Sequence, residues 1–293
     1  MADMNGRIVM VTGATDGIGK ITAHELAKMG ATVIVVGRNP QKGAQVVSEI
    51  KSATSNQNIE FMQADLSLMR DVRKLADDFK SKYDRLHVLV NNAGAVFNSR
   101  QDTAEGYEMT FALNHLNYFL LTNLLLDTIK ASGTAERKAR IVNVSSEAHQ
   151  VGGLNIDDLQ SKKGYIGMMV YGRSKLMNVM FTYELARRLK AENAPVTTNV
   201  LHPGFVASRF GRNNGIVMNA ILSIIQLGAI SPEKGAQTSI YLASSPEVEN
   251  VSGKYFSESK AKATTAASMD EAAQKRLWEM SEQIVGLGVP TTV

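Results

Sequence analysis

The stretch TGATDGIG, residues 12–19, decides the fold of this chain because of what stands on either side of it. Residues 7–12 read RIVMVT, a short apolar run typical of a strand that is buried on both faces of a parallel sheet. After the stretch, Ile18, Ile21 and Leu26 fall on one side of a helix. A strand, a glycine-rich turn and a helix in this order predict a loop that binds the pyrophosphate of a dinucleotide.

The glycines of this loop form a G-x-x-x-G-x-G pattern. Glycine permits a tight turn and lets a ligand approach the backbone closely. A purely structural turn is the alternative, and the position between a strand and a helix favours the binding interpretation. The predicted cofactor contacts in the loop are Gly13, Thr15, Asp16, Gly17, Ile18 and Gly19.

The alternation of strand and helix continues along the chain and predicts a doubly wound α/β fold. We expect a parallel Rossmann sheet with helices on both faces, in a single NADP(H)-binding domain spanning 1–293. Residues 207–231 are apolar without a strand partner, and we interpret them as a substrate lid. The predicted strands are 7–12, 32–36, 59–64, 87–91, 140–144 and 196–201, and further helices are predicted at 40–52, 69–82, 104–130, 171–192, 233–244 and 269–285.

The end of the second predicted strand, VVGRNP, indicates which dinucleotide binds. An acidic residue there would accept hydrogen bonds from the ribose of NAD, whereas Gly37 leaves space and Arg38 offers a planar cation to a 2′-phosphate. NADP(H) is therefore the predicted cofactor, and a solvated arginine without a ligand is the alternative. Asn39 beside it, and Asp65 with Leu66 after the third strand, complete this set of predicted contacts; Asp65 can equally cap the next helix.

Composition excludes several classes of function. The chain has 293 residues, of which 44% are hydrophobic and 20% charged, and it contains no cysteine, so disulfides, a thiol nucleophile and zinc–thiolate sites are excluded. Its five histidines are scattered, and no metal site is predicted. The net charge of +4 is mild, so no nucleic-acid partner is expected. We find no secretory signal and no membrane-spanning stretch, and we expect a cytoplasmic protein.

The stretch YGRSK, residues 171–175, places a tyrosine four residues before a lysine. On a helix, Tyr171 and Lys175 share a face, although an ordinary amphipathic helix shows the same spacing. Lowering the pKa of a phenol from about 10 to neutrality takes about 4 kcal/mol, and a unit charge about 4 Å away supplies about that much at an effective dielectric of 20. We therefore expect Lys175, together with the positive nicotinamide ring, to lower the pKa of Tyr171.

Six motifs follow one another in a fixed order, namely TGATDGIG, NNAG at 91–94, Asn114, NVSS at 143–146, YGRSK and HPG at 202–204. In this order and spacing the chain resembles the short-chain dehydrogenase/reductase superfamily, from about residue 7 to about residue 256. Within it the chain is similar to retinol dehydrogenase-like and WW-domain-oxidoreductase-like members, which share the style of KGAQTSIYLASSPEVENVSGKYF at 234–256 and a long interval between serine and tyrosine.

The resemblance implies a role for each residue of the site. Tyr171 would be the general acid/base, and Lys175 would hold the nicotinamide ribose and lower the tyrosine pKa. Ser146, rather than its neighbour Ser145, would bind the substrate oxygen. Asn114 would anchor a water that relays protons, although a polar residue that bends an apolar helix is an alternative for this position.

The resemblance also implies further contacts to the cofactor. Asn91 is expected to tie neighbouring strands, while the residues after it let the backbone approach the nicotinamide. The remaining predicted contacts are Asn92, Ala93, Gly94, Pro203, Gly204, Val206 and Ser208.

The apolar segment 215–230, with Met168 and Met169 in an opposite wall, predicts a lipophilic aldehyde, ketone or alcohol as substrate. Packing against the body or a subunit contact is the alternative, and a homodimer is expected by analogy. The chain does not begin with the hydrophobic anchor of many retinol dehydrogenase-like members, which puts a membrane-dissolved retinoid in doubt.

We expect carbonyl reduction in the cell. A non-catalytic NADP(H)-binding redox sensor or scaffold is a second hypothesis, and it typically lacks the tyrosine or the lysine. A light-driven tetrapyrrole reductase is disfavoured, because that branch uses a cysteine.

Overall fold

Eight strands form one sheet in the computed structural model, which describes residues 3–204 and 230–287. Their order is β3-β2-β1-β4-β5-β6-β7-β8, and all neighbours are parallel except the last pair. The strands are β1 (Ile8–Thr12), β2 (Thr32–Gly37), β3 (Ile59–Gln63), β4 (Val88–Asn91), β5 (Ala139–Val144), β6 (Val196–His202), β7 (Tyr255–Ser257) and β8 (Lys260–Lys262). The predicted Rossmann-like sheet is confirmed, and all six predicted strands form.

Helices cover both faces of the sheet. A π-helical turn, Ala112–Leu116, lies between two of them. The helices are α1 (Gly17–Lys28), α2 (Pro40–Thr54), α3 (Met69–Lys82), α4 (Met109–Phe111), α5 (Asn117–Lys130), α6 (Gly167–Ala191), α7 (Pro232–Ser244), α8 (Ala266–Met269) and α9 (Glu271–Ile284).

The apolar strands bury side chains on both faces of the sheet. In β1, Met10 joins a cluster with residues of α3, α5, α6 and α9, while Val9 and Val11 join a second cluster with residues of α1, α2 and α7. All three side chains are fully buried. This two-sided burial explains why the strands read as continuous apolar runs instead of alternating with polar residues.

The strand order reverses at β1, and this reversal positions the site. The chain runs from β1 outward to β2 and β3, and then returns to pair β4 with the other side of β1. The loops that follow β1 and β4 therefore diverge at the carboxyl edge of the sheet, where ligands of doubly wound folds bind.

The first helix of the segment predicted at 104–130 begins five residues later than expected. Glu108 caps it, because the carboxylate accepts hydrogen bonds from the backbone N–H of Thr110 at 2.8 Å and of Phe111 at 2.7 Å. Before this cap the chain turns, with Asp102 and Glu108 joined in an antiparallel bridge. Helix α6 begins at Gly167, before its predicted start, which places Tyr171 in its second turn.

The short edge strands β7 and β8 were not predicted. Each has three residues, too few to show a periodic pattern, and β8 is exposed throughout. Most of the predicted lid lies outside the described residues.

Candidate functional site

The glycine loop lies at the carboxyl edge of β1 and packs against the loop after β4. A Cβ at Gly13, whose φ is +63°, would lie 2.9 Å from the Ala93 Cα, and one at Gly19 would lie 2.4 Å from the Asn92 Nδ2. Larger residues do not fit at either position without moving the backbone. Asn92 holds the two loops together, since its Nδ2 donates to the Thr12 carbonyl at 2.8 Å.

The remaining loop residues shape the start of α1. Asp16 is the N-cap, and its carboxylate accepts from the Gly17 N–H at 2.9 Å. The Thr15 side chain contacts the position where Gly37 would carry a Cβ, 2.7 Å from its methyl group. Ile18 is partly exposed at the same helix end. The glycine loop thus leads into the N-terminus of α1, and the free N–H groups of a helix N-terminus suit an anionic group.

Arg38 is exposed at the carboxyl end of β2, beside a groove of about 740 Å³ that Asn39, Gln63 and Asp65 also line. Its backbone carbonyl accepts from the Gln63 Nε2 at 3.1 Å, which leaves the guanidinium at the surface. Asn39 caps α2 by accepting from the Lys42 N–H at 2.9 Å. The groove therefore offers a cation at the place where the adenosine ribose was predicted.

Asp65 lies in the loop after β3, at the edge of the same groove. Asp65 accepts from the Ser67 N–H at 3.0 Å and from its hydroxyl at 2.7 Å, so this carboxylate holds the turn that precedes α3. Asp65 does not cap α3, whose N-cap is Leu68, and its predicted contact with the cofactor stays a prediction. The Leu66 side chain is buried in the core.

Asn91 ties two strands together, as expected. Its Nδ2 donates to the Asn143 Oδ1 on β5 at 2.9 Å and to the Thr122 hydroxyl at 3.0 Å. Further along, a Cβ at Gly94 would lie 3.1 Å from the Asn114 Oδ1 and 3.3 Å from the Lys175 Nζ. Glycine at 94 thus keeps open the space between two residues of the predicted site.

Asn114 lies in the π-helical turn, and its side chain is fully engaged. The Oδ1 accepts from the Ala95 N–H at 2.9 Å, while the Nδ2 donates to the Ala95 carbonyl at 2.9 Å and to the Ser174 hydroxyl at 3.0 Å. Its backbone carbonyl accepts from the Asn178 Nδ2 at 2.8 Å. Asn114 therefore links the end of β4 to helix α6, and π-helical turns are frequent at such functional positions.

Tyr171, Ser146 and Lys175 meet at the carboxyl edge of β5. The side chains of Tyr171 and Ser146 are hydrogen-bonded, and the Lys175 Nζ lies 5.6 Å from the centre of the tyrosine ring. The neighbouring Ser145 is buried and donates to the Lys175 carbonyl at 2.8 Å, which fixes the backbone of α6. Of the two serines, Ser146 is the one hydrogen-bonded to the phenol, and its role toward a substrate oxygen stays a prediction.

The pKa of Tyr171 is not lowered as the sequence predicted. Burial raises the pKa of Tyr171 to about 12, and the hydrogen bond from Ser146 lowers it only in part. Burial also lowers the pKa of Lys175 to about 7. The expected lowering of the tyrosine pKa is therefore not a property of the polypeptide alone, because desolvation weakens the lysine as a cation and opposes the phenolate.

The carboxyl end of β6 closes the site on one side. The His202 Nδ1 accepts from the Glu147 N–H at 3.2 Å, which joins this strand end to the loop after β5. Pro203 and Gly204 follow, and the φ of Gly204 is +91°, a conformation that favours glycine. Val206 and Ser208 lie outside the described residues.

Two polar residues of α6 belong to this site and were not predicted, namely Ser174 and Asn178. Both are buried, and both bind Asn114. The signal in the sequence was a pair of polar residues on an otherwise apolar helix, three and seven positions after Tyr171. Periodicity identifies such residues as inward-facing but not as partners of a distant loop.

The residues of the site fit a nicotinamide dinucleotide. A Cβ at Gly13, Gly19 or Gly94 would crowd the neighbouring atoms, so these glycines keep space at the carboxyl edge of the sheet, and the buried Lys175 amine lies beside Gly94. Within residues 3–204 and 230–287, no three His, Asp or Glu side chains are grouped so as to hold a metal ion. No helix in these two ranges is long and apolar enough to cross a bilayer.

Comparison with known proteins agrees with this geometry. The family model for short chain dehydrogenases matches residues 7–216. Polyprenol dehydrogenase of Homo sapiens is 43% identical over 284 residues, covering 96% of this chain and 86% of that protein. Retinol dehydrogenase 14 of Homo sapiens is 40% identical over 300 residues, covering 97% and 88%.

Solved structures show the same architecture. An uncharacterized protein from Mycobacterium paratuberculosis superposes with a TM-score of 0.79 at 29% identity, covering 97% of this chain and 96% of the other. The RhlG protein of Pseudomonas aeruginosa, in an NADP active-site complex, superposes with a TM-score of 0.69 at 28% identity, covering 87% and 95%. With its glycine loop, its tyrosine–lysine pair and these relatives, the chain belongs to the short-chain dehydrogenase family, as a retinol dehydrogenase-like oxidoreductase with a nicotinamide cofactor.

Proposed function

We propose that this protein is an NADP(H)-dependent oxidoreductase that interconverts a lipophilic carbonyl compound and its alcohol, with Tyr171 as general acid/base. The observation that carries the proposal is the hydrogen-bonded pair of Tyr171 and Ser146 hydroxyls beside the buried amine of Lys175. Two neighbouring hydroxyl groups that can both donate to a substrate suit a carbonyl oxygen, on which negative charge develops during reduction.

A nicotinamide dinucleotide held by the glycine loop and Lys175 would supply the hydride for reduction and would accept it for oxidation. In reduction, Ser146 donates a hydrogen bond to the substrate oxygen, and Tyr171 transfers its hydroxyl proton to that oxygen as the C–H bond forms. Lys175, when protonated, stabilises the resulting phenolate. In alcohol oxidation the same phenolate accepts the hydroxyl proton, so one residue serves both directions.

The charge of Lys175 is the variable part of this mechanism. With a pKa of about 7, the amine is only partly protonated at neutral pH. Phosphate groups of a dinucleotide favour the protonated form of a nearby amine, because opposite charges attract across a low-dielectric cleft. Cofactor binding would thus raise the pKa of Lys175 and lower that of Tyr171, in the direction that catalysis needs.

The choice of NADP(H) is supported by the exposed Arg38 at the end of β2, where Gly37 provides no carboxylate to repel a phosphate. The RhlG relative, whose structure holds NADP, supports the same choice. We expect Arg38→Asp to weaken NADPH binding at least tenfold, or by about 1.4 kcal/mol, because the carboxylate would repel the 2′-phosphate. NADH has no 2′-phosphate, so its binding should change little. Equal losses for both cofactors in a fluorescence titration would contradict this role for Arg38.

The choice of a lipophilic substrate is supported by exposed apolar side chains near Tyr171. Ile166 is 69% exposed and Met168 is 57% exposed, and Met168 lies three residues before Tyr171 on the same helix face. Val151 is 54% exposed, and the adjacent Gly152 packs against α6 near Gly172. The relatives named polyprenol dehydrogenase and retinol dehydrogenase also indicate apolar alcohols.

The test is NADPH oxidation by the purified protein with a panel of aldehydes and ketones of increasing chain length, including retinal. We expect turnover that rises with apolar chain length, and none from Tyr171→Phe. The matched control is NADPH affinity, which Tyr171→Phe leaves nearly unchanged. Cofactor binding without consumption for every substrate, or an active Tyr171→Phe, would contradict the proposal; the first result favours a redox sensor.

A further inference from the structure

A histidine occupies an unusual place in the apolar core behind the site. His115 is fully buried in the π-helical turn, with its ring centre 5.7 Å from that of Phe111 and 6.4 Å from those of Phe119 and Phe181. Burial lowers its pKa to about 4, so the ring is neutral at physiological pH. A buried polar group is costly unless both ring nitrogens find hydrogen-bond partners.

Both ring nitrogens of His115 have such partners. Nδ1 lies 3.2 Å from the Asn178 Oδ1, and Nε2 lies 3.1 Å from the hydroxyl of Ser281 on α9. Asn178 in turn donates from Nδ2 to the Asn114 carbonyl at 2.8 Å. One line of hydrogen bonds therefore runs from Ser281 on α9 through His115 and Asn178 to the backbone carbonyl of Asn114.

The direction of this line follows from chemistry. A carbonyl can only accept, so the Asn178 Nδ2 is the group that faces Asn114 and its Oδ1 faces the imidazole. The imidazole must then carry its hydrogen on Nδ1, which leaves Nε2 to accept from the Ser281 hydroxyl. The orientation of the Asn178 amide thus fixes the tautomer of His115, and that tautomer fixes the Ser281 hydroxyl as the donor to Nε2.

Asn114 extends the line to the tyrosine. Its Nδ2 donates to the Ser174 hydroxyl at 3.0 Å, and that hydroxyl donates to the Tyr171 carbonyl at 2.7 Å. The backbone of Tyr171 is therefore connected to Asn114 through one side chain. A shift of the π-helical turn would move the phenol relative to the loop after β4.

We propose that Asn178 is a positioning residue for catalysis, because its amide, oriented by His115 and Ser281, fixes the carbonyl of Asn114 and hence the setting of Tyr171. The catalytic part of this inference rests on the proposed function; the hydrogen-bond direction does not. A purely structural network would contribute stability without any specific effect on turnover.

The first test reads the tautomer of His115 by nitrogen NMR of protein labelled with ¹⁵N-histidine, with His115→Phe to identify its signals. We expect the hydrogen on Nδ1 and none on Nε2 at neutral pH. A hydrogen on Nε2, or a doubly protonated ring, would overturn the proposal, because the Asn178 amide would then be reversed. This result is independent of any enzymatic activity.

The second test compares Asn178→Leu with Ser268→Ala by steady-state kinetics and urea unfolding. Leucine preserves the side-chain volume of Asn178 but makes neither hydrogen bond. We expect kcat to fall about 10- to 100-fold while KM for NADPH stays within about twofold, because a small misplacement of reacting groups slows the chemical step. The Ser268 hydroxyl is buried with two hydrogen bonds outside this line, so its loss lowers stability alone. An unchanged kcat in Asn178→Leu, or an equal loss in the control, would overturn the proposal.

The two tests separate the possible failures. If Asn178→Leu does not fold, His115→Phe replaces it, because the surrounding aromatic side chains accept a phenyl ring. The loss of both hydrogen bonds lowers its stability, so its kcat must fall further than that of Ser268→Ala. If the wild-type protein turns over no carbonyl substrate, the proposed function fails, and the tautomer of His115 still decides the orientation of Asn178.

Discussion

Replacing Lys175 with methionine should change how the stability of this protein depends on pH. The amine is buried, its Nζ donates to the Val144 carbonyl at 3.1 Å, and burial lowers its pKa from 10.5 to about 7. An unfolded chain restores the ordinary value, so between pH 7 and about pH 10 the unfolded state holds a proton that the folded state lacks. The free energy of unfolding therefore rises with pH in this window, by about 1.4 kcal/mol per pH unit or about 4 kcal/mol in total.

Methionine has a similar length and cannot titrate. Below pH 7 the wild-type protein bears the full cost of a buried ammonium, so Lys175→Met has its largest relative stability there. That advantage should shrink by about 4 kcal/mol on going from pH 7 to pH 10, where the folded wild-type amine is neutral. The raised pKa of Tyr171, about 12, acts at higher pH and in both proteins alike.

The assay is urea unfolding of both proteins without cofactor at several pH values from 6 to 10, followed by the fluorescence of Trp278, the chain's one tryptophan. The difference between the two unfolding free energies is the quantity to compare. A difference that stays constant across this range would show that Lys175 keeps its ordinary pKa in the folded protein, and the electrostatic reasoning would be refuted. Lys175→Met should also abolish turnover at every pH.

Four further substitutions probe other parts of the structure. Gly94→Ala should weaken NADPH binding about tenfold in a fluorescence titration, because the methyl group would lie 3.1 and 3.3 Å from two polar atoms of the site; an unchanged Kd would count against a cradle there. Arg140→Leu should cost about 3–5 kcal/mol of unfolding free energy, because it breaks the largely buried ion pair with Glu249 at 2.5 Å; a loss below about 1 kcal/mol in urea unfolding would show that the pair is well hydrated. Ser146→Ala should lower kcat about 100-fold, whereas Ser145→Ala should mainly cost about 1 kcal/mol of stability; the reverse order in kinetics and unfolding would exchange the roles of the two serines.

Much of the fold could be predicted from local patterns. A strand buried on both faces must be apolar throughout, and a dinucleotide loop must be rich in glycine, so residues 7–19 already indicate the first strand, turn and helix. The same reasoning located all six long strands. It missed β7 and β8, because three-residue strands carry no periodic signal and owe their existence to the edge offered by β6.

The candidate site likewise has features that the sequence predicts and features that only the folded structure shows. The four-residue spacing of Tyr171 and Lys175 places both on one helix face, whatever that helix packs against. The sequence cannot show that Lys175 is desolvated, or that the side chain of Asn114 is engaged by Ala95 and Ser174. Those properties depend on the surroundings that other segments provide.

What the sequence by itself determined is therefore the class of fold, the glycine loop and the tyrosine–lysine pair that is predicted to react, because each depends on residue type and near spacing alone. Only the tertiary structure decided which serine is hydrogen-bonded to the phenol and that burial lowers the pKa of Lys175. It also decided that Ser281 is joined through His115 and Asn178 to Asn114. The physical reason is that burial and hydrogen-bond partnership are relations between segments, here more than 160 residues apart in the chain. Such relations exist only after the chain has folded.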